Sequence, residues 1–524
     1  MDHTKCDALS LPGGPKGLPI VGSMLAFKGP ATNLEWAKQY GRIYYVRMGN
    51  KNMVYVNTIE LVEKYLEGPR GDQFLGRPWG PAAIAQGLLF GCGDNWKSNK
   101  RAFLKAMHSQ TLAEEMETAV QTELSIMLQE LRRQADCERP IKIGDTLLPA
   151  CANAVSSFLL GQSLPMGSSS REILHGVVKN LEQVDLTSLM VQFSLKYPKL
   201  GWYLQKFTWQ NPVDIFGTAK RLQDLILEWI GQIRQTPVDT PESPDTPKVE
   251  ANHHPSDWVS TEEYFKQHVG PSLSENRQRH CVLRRILAQP EFQELEADRE
   301  KELVQSLVDM FFGGVTSVVS GLEFVLMYLS KHPSEQTLAQ REIARVLTAE
   351  AEQRSSGGNS KVTQNDVKIT WSMRDKMPYT YACVAEALRL GCVTPASLPH
   401  VATVDAEIDN FAVPRGTFVL ASIYSMHRDP RMYTEPSEYN PHRFLDDQGK
   451  FQTPRSYRPF GIGARWCVGE ELAKMELFIF TAAILREFTV VSPPGSKRPE
   501  DMETHMRVVH RLKDFRCILR ENKN

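Results

Sequence analysis

Cys467 lies in a ten-residue segment, FGIGARWCVG, that begins at Phe460 and runs directly into a helical pattern. Gly463 and Gly469 allow positive φ and close approach of the backbone to a neighbouring group. The first amides of the following helix favour the charged form of a thiol, and Arg465 offers a fixed cation to a carboxylate. The segment therefore predicts a loop that presents Cys467 as a thiolate ligand to the metal of a cofactor, with Phe460 shielding the sulfur.

The ten residues resemble the heme-binding loop of cytochrome P450 enzymes, Phe-x-x-Gly-x-Arg-x-Cys-x-Gly, and every fixed position is filled. The alternative is a buried structural cysteine in a glycine-rich turn, because free cysteines are often buried. Five fixed positions within ten residues favour the first interpretation. The resemblance implies heme b with Cys467 as its iron ligand. It also implies a single large domain over residues 11–523, with a fold that is mainly α with a minor β part (α+β).

A carboxylate and a guanidinium lie one helical turn apart in Glu386-Ala-Leu-Arg389. Side chains at this spacing meet on one face of a helix, and on a protein surface such a pair contributes little to stability. The pair also resembles the Glu-x-x-Arg helix of cytochrome P450 enzymes, and residues 436–444 match its partner segment. The resemblance implies that Arg443 completes a buried network with Glu386 and Arg389, which fixes the loop that carries the cysteine.

Four further residues resemble the family's partners of the heme propionates. The segment from Trp96 to Lys100 matches the pattern Trp-x-x-x-Arg, except that Lys100 stands at the arginine position. A lysine supplies the charge without the planar fork, so the neighbouring Arg101 is a second candidate. His400 lies where related enzymes place another propionate partner, and a structural role for this lone histidine is the alternative.

The segment from Leu303 to Ser330 corresponds, by resemblance, to the helix that crosses the distal face of the heme. The family's pattern there is Ala/Gly-Gly-x-Asp/Glu-Thr-Thr, whose acid and alcohol relay protons. This chain reads Gly313-Gly314-Val-Thr316-Ser317, so a threonine replaces the acid. We expect the two glycines to open the helix above the iron, and Ser317, with Thr316, to handle protons through bound water.

The replaced acid leaves three functions open. The first is a monooxygenase that inserts one oxygen atom from O₂ into a lipophilic substrate, with electrons from NADPH through a separate flavin-containing reductase. The second is a heme-thiolate isomerase or dehydratase of lipid peroxides, which needs neither O₂ nor a reductase. The third is a non-catalytic heme sensor or carrier. A short similarity of the distal segment to an arthropod branch in early ecdysteroid synthesis favours a sterol-like substrate.

Composition argues against several other classes of protein. The chain is 41% hydrophobic and 23% charged, and its formal net charge of −1 gives no sign of nucleic-acid binding. Its nine cysteines include no CxxC pair, so we expect a reducing compartment rather than a disulfide framework or a zinc site. Residues 310–328 are long enough to span a bilayer, yet they contain Glu323 and three glycines, so a buried helix is predicted.

The N-terminus shows neither a signal peptide nor a mitochondrial presequence, and residues 1–10 are predicted to be a short tail without a visible anchor. Residues 11–22 resemble the proline-rich hinge that follows the membrane anchor of microsomal animal members. The resemblance implies the cytosolic face of the endoplasmic reticulum, reached by peripheral contact or by an anchor missing from the gene model. A cytosolic location is the alternative.

Two short β regions frame the helical part of the chain. Strands are predicted at 43–48 and 53–57, joined by a hairpin signal at 49–52. A strand pattern returns between 401 and 421, around a tight turn at 413–417. These strands are expected to form a small sheet beside the helices.

Most of the remaining chain is predicted to be helical, with two polar interruptions. Amphipathic helices are predicted at 111–133 and 219–234. The proline-rich stretch 236–257 is predicted to be a disordered surface insertion, and the polar stretch 349–360 is predicted to be a second insertion.

Overall fold

The computed structural model describes residues 10–78, 86–107, 110–161, 176, 215–235, 281–293, 296–356, 362–506 and 509–522. These residues are mainly helical with a minor β part, as the sequence predicted. The predicted disordered insertion at 236–257 lies outside the described residues. So does all of the predicted N-terminal tail except its last residue.

The helices of the described residues are α1 (Pro30–Tyr40), α2 (Ile59–Val62), α3 (Gly93–Met107), α4 (Gln110–Ala135), α5 (Gly144–Leu160), α6 (Ile215–Gln235), α7 (Val282–Leu287), α8 (Pro290–Gln293), α9 (Ala297–Lys331), α10 (Pro333–Ser356), α11 (Pro378–Gly391), α12 (Ile423–Met426) and α13 (Glu470–Glu487). Helices α1 and α11 begin at proline, which lacks the amide hydrogen that a first helical residue cannot use. Helix α5 ends at Gly161, whose φ of 70° suits a residue without a Cβ.

The strands are β1 (Ile43–Met48), β2 (Lys51–Val56), β3 (His400–Val401), β4 (Ala406–Ile408), β5 (Phe411–Val413), β6 (Phe418–Ala421), β7 (Phe488–Val491), β8 (Thr504–Met506), β9 (His510–Leu512) and β10 (Ile518–Glu521). The largest sheet has the order β1-β2-β6-β3, in which β2 and β6 run parallel. The predicted hairpin is confirmed, although β2 begins two residues earlier than expected, with Met48 paired to Lys51.

Helix α9 forms the centre of the protein and packs against α5, α11 and α13. By length and composition it is the one helix among the described residues that could cross a membrane. However, 72% of its most apolar window is buried inside the protein. Its apolar side chains belong to the main hydrophobic core. The prediction of a long buried helix is therefore confirmed.

One predicted interruption is wrong in part. The stretch 349–360 was expected to be a polar insertion, but α10 continues through it as far as Ser356. Its charged residues are good helix formers and face solvent, while Ala351 is buried. The polar composition of this stretch belongs to the solvent-exposed face of a helix rather than to a loop. The predicted helices at 111–133 and 219–234 are confirmed as α4 and α6.

Candidate functional site

A tight loop carries Cys467 between a short 3₁₀ turn, Gly463–Arg465, and helix α13. The amide of Cys467 donates to the carbonyl of Phe460 at 2.8 Å, which closes the loop. Gly463 has a φ of 53°, and a Cβ there would lie 2.5 Å from the carbonyl oxygen of Leu66. Both the backbone conformation and the available space therefore require glycine at this position.

The second glycine of the motif does not use the positive φ that glycine allows. Gly469 has a φ of −90°. A positive φ of 91° occurs instead at Gly461, which the motif leaves free. A Cβ on Gly469 would lie 3.9 Å from Cε of Met310 on α9. A distance of that length is ordinary van der Waals contact, so the space at Gly469 would also accept a Cβ.

Cys467 is accessible to solvent, although many protein atoms surround its sulfur. Burial, followed by the carboxylate of Glu470, raises the pKa of this thiol to about 11. The amide of Gly469 and the ammonium groups of Lys100 and Lys474 lower that pKa, but burial outweighs them. The free sulfur is therefore a neutral thiol near pH 7. A coordinated metal deprotonates such a thiol.

Helix α9 presents a half-buried stripe near this loop. Met310, Gly313 and Ser317 lie on one face, because positions three and four apart share one side of a helix. Thr316 is only 3% exposed and lies on a different side. The two residues predicted to handle protons therefore lie on different sides of α9, and Ser317 is the one on the half-buried stripe.

Both hydroxyls form hydrogen bonds within α9. Thr316 Oγ1 donates to the carbonyl of Phe312 at 3.0 Å, and Ser317 Oγ donates to the carbonyl of Gly313 at 2.6 Å. A hydroxyl bonded to the carbonyl four residues earlier slightly destabilises a helix and often bends it. The helix is continuous through Gly313 and Gly314, so the expectation that these glycines open it is wrong.

Arg465 reaches from the cysteine loop to the face of a tryptophan. Its Cζ lies 3.5 Å from the ring centre of Trp96, and its Nη2 donates to the carbonyls of Leu75 and Gly91. Its Nε and Nη1 are buried and have no hydrogen-bond partner among the described residues. Two unpaired guanidinium nitrogens fit a carboxylate. Burial lowers the pKa of Arg465 to about 10, so its charge remains at neutral pH.

Trp96 and Lys100 are buried on the inner face of α3. The indole of Trp96 donates to a backbone carbonyl at 3.0 Å. The ammonium of Lys100 donates to the carbonyls of Ala464 at 2.7 Å and Trp466 at 3.0 Å. Burial lowers the pKa of Lys100 to about 7, and the charge of Cys467 raises it.

Arg101 does not join this group. It is exposed on the outer face of α3, so the expectation that it assists Lys100 is wrong. Consecutive residues of a helix are about 100° apart and point to different sides. His400 is buried, with Nδ1 3.0 Å from the carbonyl oxygen of Phe74. Burial, and then the charge of Arg77, hold the pKa of His400 well below its usual value, so the ring is neutral.

Arg77 is a further buried cation at this site, and no sequence motif singles it out. Its Nε donates to the carbonyl of Leu89, and its Nη1 donates to the carbonyls of Leu398 and Pro399. Burial, and then the nearby Arg465, hold its pKa well below the usual value. An arginine within an apolar, glycine-rich stretch is the signal that could have revealed it, because buried arginines require partners. Uncompensated charge on these two arginines fits an anionic ligand.

The structure brings Glu386, Arg389 and Arg443 together. Arg389 is fully buried and binds the Glu386 carboxylate through two parallel hydrogen bonds of 2.6 and 2.8 Å. Arg443 Nε donates to the same carboxylate at 3.2 Å. Arg389 also donates to the carbonyls of His427 and Pro436. These contacts hold the segment 427–443 and do not themselves include the cysteine loop.

His427 supplies the connection to the cysteine loop. Its Nδ1 lies 3.2 Å from the carbonyl oxygen of Arg389, and its Nε2 accepts the amide of Arg458 at 3.0 Å. Arg458 precedes Phe460 by two residues. Burial, and then the charge of Arg389, hold the pKa of His427 well below its usual value. The neutral ring therefore keeps the lone pair that this amide requires.

Comparison with known proteins identifies the family of this chain. The family model described as Cytochrome P450 matches residues 12–518. The chain belongs to the cytochrome P450 family. Members of this family bind heme b and act as monooxygenases, so the chain is a heme-dependent monooxygenase.

Relatives cover nearly the whole of this cytochrome P450 at low identity. It is 25% identical over 494 residues to cytochrome P450 2J5 of Mus musculus, and the match covers 93% of this chain and 87% of the relative. It is 28% identical over 504 residues to cytochrome P450 2C23 of Rattus norvegicus, with 92% and 88% covered. It is 24% identical over 513 residues to cytochrome P450 18a1 of Drosophila melanogaster, with 93% and 83% covered.

The side chains of the site fit heme. An exposed cysteine and unpaired guanidinium nitrogens on Arg465 match an iron ligand and a propionate partner. When heme is bound through a thiolate, it supplies oxygen activation, because the sulfur donates electron density to iron.

Proposed function

We propose that this cytochrome P450 holds heme b through Cys467 and inserts one oxygen atom from O₂ into a lipophilic, sterol-like substrate. The observation that carries the proposal is the exposed Cys467 on a loop whose Gly469 lies close to Met310, on the half-buried stripe of α9. The carbonyl of Phe460 accepts the amide of Cys467. In this proposal the half-buried ring of Phe460 shields the sulfur.

Arg465 and Arg77 neutralise the propionates in this proposal, with His400 beside them. The support is electrostatic: both arginines are largely removed from water, and their hydrogen-bond partners are backbone carbonyls rather than carboxylates. A buried cation left without an opposite charge is costly. A bound carboxylate removes that cost, and it also favours the protonated form of His400.

Ser317 handles protons in this proposal, and Thr316 has at most a secondary role. The Ser317 hydroxyl lies on the half-buried stripe and donates to Gly313, which leaves its oxygen lone pairs for bound water. Thr316 is buried and turned away. Residues 313–318 contain no carboxylate, so any proton donor of suitable pKa has to be reached through water.

That missing carboxylate is also the observation that favours a second candidate function. A lipid-peroxide isomerase or dehydratase receives oxygen that is already activated and has no need of a distal acid. The two functions differ in what they consume.

Purified protein, a flavoprotein reductase and candidate sterols provide the decisive experiment. A monooxygenase consumes NADPH and O₂ in proportion to hydroxylated product. Turnover of a lipid hydroperoxide without any electron donor would instead favour the isomerase or dehydratase. Heme binding with neither activity would favour a sensor or carrier. Substrate-binding difference spectra across sterols, fatty acids and peroxides would identify the substrate class.

The role of Cys467 has its own test. Replacing Cys467 by serine is expected to abolish the thiolate-type carbon monoxide spectrum of the reduced protein. Cys137→Ser is a suitable control because Cys137 is an exposed cysteine outside the site. An unchanged spectrum in Cys467→Ser would contradict the proposed ligand.

We also propose that the outer face of α3 binds the reductase. Lys97, Arg101 and Lys105 are exposed at four-residue spacing, and within the described part of the chain none has an ion-pair partner. A free positive stripe attracts an acidic flavoprotein surface and speeds association. Because the inner face of α3 carries Trp96 and Lys100, such docking would bring the electron donor close to the heme.

Peripheral contact with the cytosolic face of the endoplasmic reticulum is part of the proposal. Near the N-terminus, Leu18, Ile20 and Leu25 are 57%, 84% and 73% exposed. Large apolar side chains that cluster on a surface mark a protein or membrane contact. Sedimentation with liposomes, compared between the wild type and a variant with serine at these three positions, would test the contact.

A further inference from the structure

The ammonium of Lys100 binds the cysteine loop itself. Its Nζ donates to the carbonyl of Ala464 at 2.7 Å and to that of Trp466 at 3.0 Å. These two carbonyls flank Arg465, and the second belongs to the residue directly before Cys467. One side chain of α3 thus fixes two peptide groups of a loop that is 364 residues away in sequence.

Aromatic rings complete the surroundings of this cation. Nζ lies 4.6 Å from the ring centre of Trp466 and 5.8 Å from that of Trp96. A cation held over aromatic faces and carbonyl dipoles is stabilised without a carboxylate. Lys100 is only 5% exposed, so these contacts occupy its buried end.

We propose that Lys100 is a positioning residue that holds the cysteine loop in the geometry that directs Cys467 toward iron, rather than a propionate partner. The inference rests on the proposed heme-thiolate site. It assigns propionate binding to Arg465, whose Nε and Nη1 lack partners among the described residues. It also explains why a lysine serves at a position where the related motif has arginine.

The different shapes of a lysine ammonium and an arginine guanidinium separate the role of positioning residue from that of propionate partner. A propionate partner is improved or unaffected by arginine, whose planar fork matches a carboxylate. Lys100 is buried with its Nζ already within hydrogen-bond distance of two loop carbonyls, so a longer, planar guanidinium does not fit there without moving the loop. Lys100→Arg therefore distinguishes a positioning residue from a propionate partner, and Lys100→Met removes both functions.

The experiment compares heme-loaded wild type, Lys100→Met, Lys100→Arg and the control Lys97→Met, which removes an exposed lysine from the same helix. Hydrogen–deuterium exchange of the peptide that spans residues 460–469 reports loop order. The carbon monoxide spectrum after chemical reduction reports whether the ligand is thiolate or thiol, without a reductase.

Both Lys100 variants are expected to exchange the loop amides about tenfold faster, because two hydrogen bonds are lost. Both are also expected to show a larger share of the thiol-type spectrum, while Lys97→Met matches the wild type. Failure of both Lys100 variants to load heme, with normal loading of Lys97→Met, would support the same role. Lys100→Arg with wild-type exchange and spectrum would overturn it, as would unchanged loop exchange in Lys100→Met. A wild type that lacks thiolate ligation would instead refute the proposed function itself.

Discussion

At the scale of single residues, the half-buried stripe of α9 carries one hydroxyl, that of Ser317, where the related motif has an acid and an alcohol. Ser317 lies on the half-buried face of α9, and the adjacent Thr316 lies in the core. A serine hydroxyl is not by itself a proton donor for the reaction, because its pKa is far above neutrality. It can order the water that supplies the proton.

Replacing Ser317 by alanine is expected to reduce the product formed per NADPH consumed by roughly tenfold or more, because positioned proton transfer contributes about 10²–10⁴ in rate. The measurement is product yield against NADPH oxidation with a reductase present. Thr316→Val, which removes a hydroxyl away from the stripe, is expected to change coupling less. Wild-type coupling in Ser317→Ala would remove this residue from the proton path.

A glycine in the cysteine loop offers a second test at this scale. Gly463 and Gly495 both have positive φ, but a Cβ on Gly495 meets no atom within 4 Å, whereas one on Gly463 meets Leu66. Gly495→Ala is expected to cost about 1–2 kcal/mol of unfolding free energy from backbone conformation alone. Gly463→Ala is expected to cost about 2–5 kcal/mol, because a steric clash is added.

Denaturant unfolding of the two glycine variants measures this difference, and heme content reports its effect on the site. Equal losses of stability would show that the loop moves freely away from Leu66. That result would contradict the tight packing of the 3₁₀ turn before Cys467.

At the scale of elements, two separate connections hold the cysteine loop. On one side, Lys100 of α3 binds the carbonyls of residues 464 and 466. On the other, His427 accepts the amide of Arg458 and connects it to Arg389 of α11. The loop is therefore held by α3 at residues 464 and 466 and, through His427, by α11 at residue 458 just before it.

Replacing Glu386 by alanine is expected to cost about 3–5 kcal/mol and to yield no heme-loaded protein, because Arg389 is left as a buried unpaired charge. Heme absorbance per mole of purified protein is the measurement. Glu503→Ala is the matched control, since its ion pairs with Lys497 and Lys513 are exposed and no measurable loss is expected. Normal heme content in Glu386→Ala would contradict this account of the network.

At the scale of the whole molecule, a buried acid ties the central helix to the segment before α3. Asp309 of α9 accepts the amide of Leu89 at 2.9 Å and the amide group of Gln305 at 2.8 Å. Burial raises the pKa of Asp309 to about 7, although these hydrogen bonds lower it. The same segment also provides carbonyls to Arg77 and Arg465.

The raised pKa of Asp309 makes stability depend on pH in a defined direction. Between its unfolded pKa of about 4 and its folded pKa of about 7, the folded state holds the proton more tightly, so stability falls as pH rises. The stability of the wild type relative to Asp309→Asn is expected to fall by up to about 4 kcal/mol across this window. Denaturant unfolding of both proteins at about pH 5 and about pH 8 measures the part of this change that falls between those two values, roughly 3 kcal/mol. A constant difference would refute the titration of Asp309.

Local patterns predicted the parts of this protein that depend on neighbours in sequence. The β1–β2 hairpin, the amphipathic helices α4 and α6 and the long buried α9 all follow from periodicity and turn residues. The stretch 349–360 failed because polar composition alone does not separate a solvated helix face from a loop. The meeting of Glu386 with Arg389 follows from their spacing on one helix, whereas Arg443 required the motif.

The sequence by itself determined the cysteine loop, because the cysteine, an arginine and the glycines around them lie within ten residues. Tertiary structure decided what those groups face. It selected Ser317 over Thr316, directed Arg101 to solvent, added Arg77 and turned Lys100 toward the loop. Each of these outcomes depends on how helices and loops far apart in sequence pack together, and no short motif records that packing.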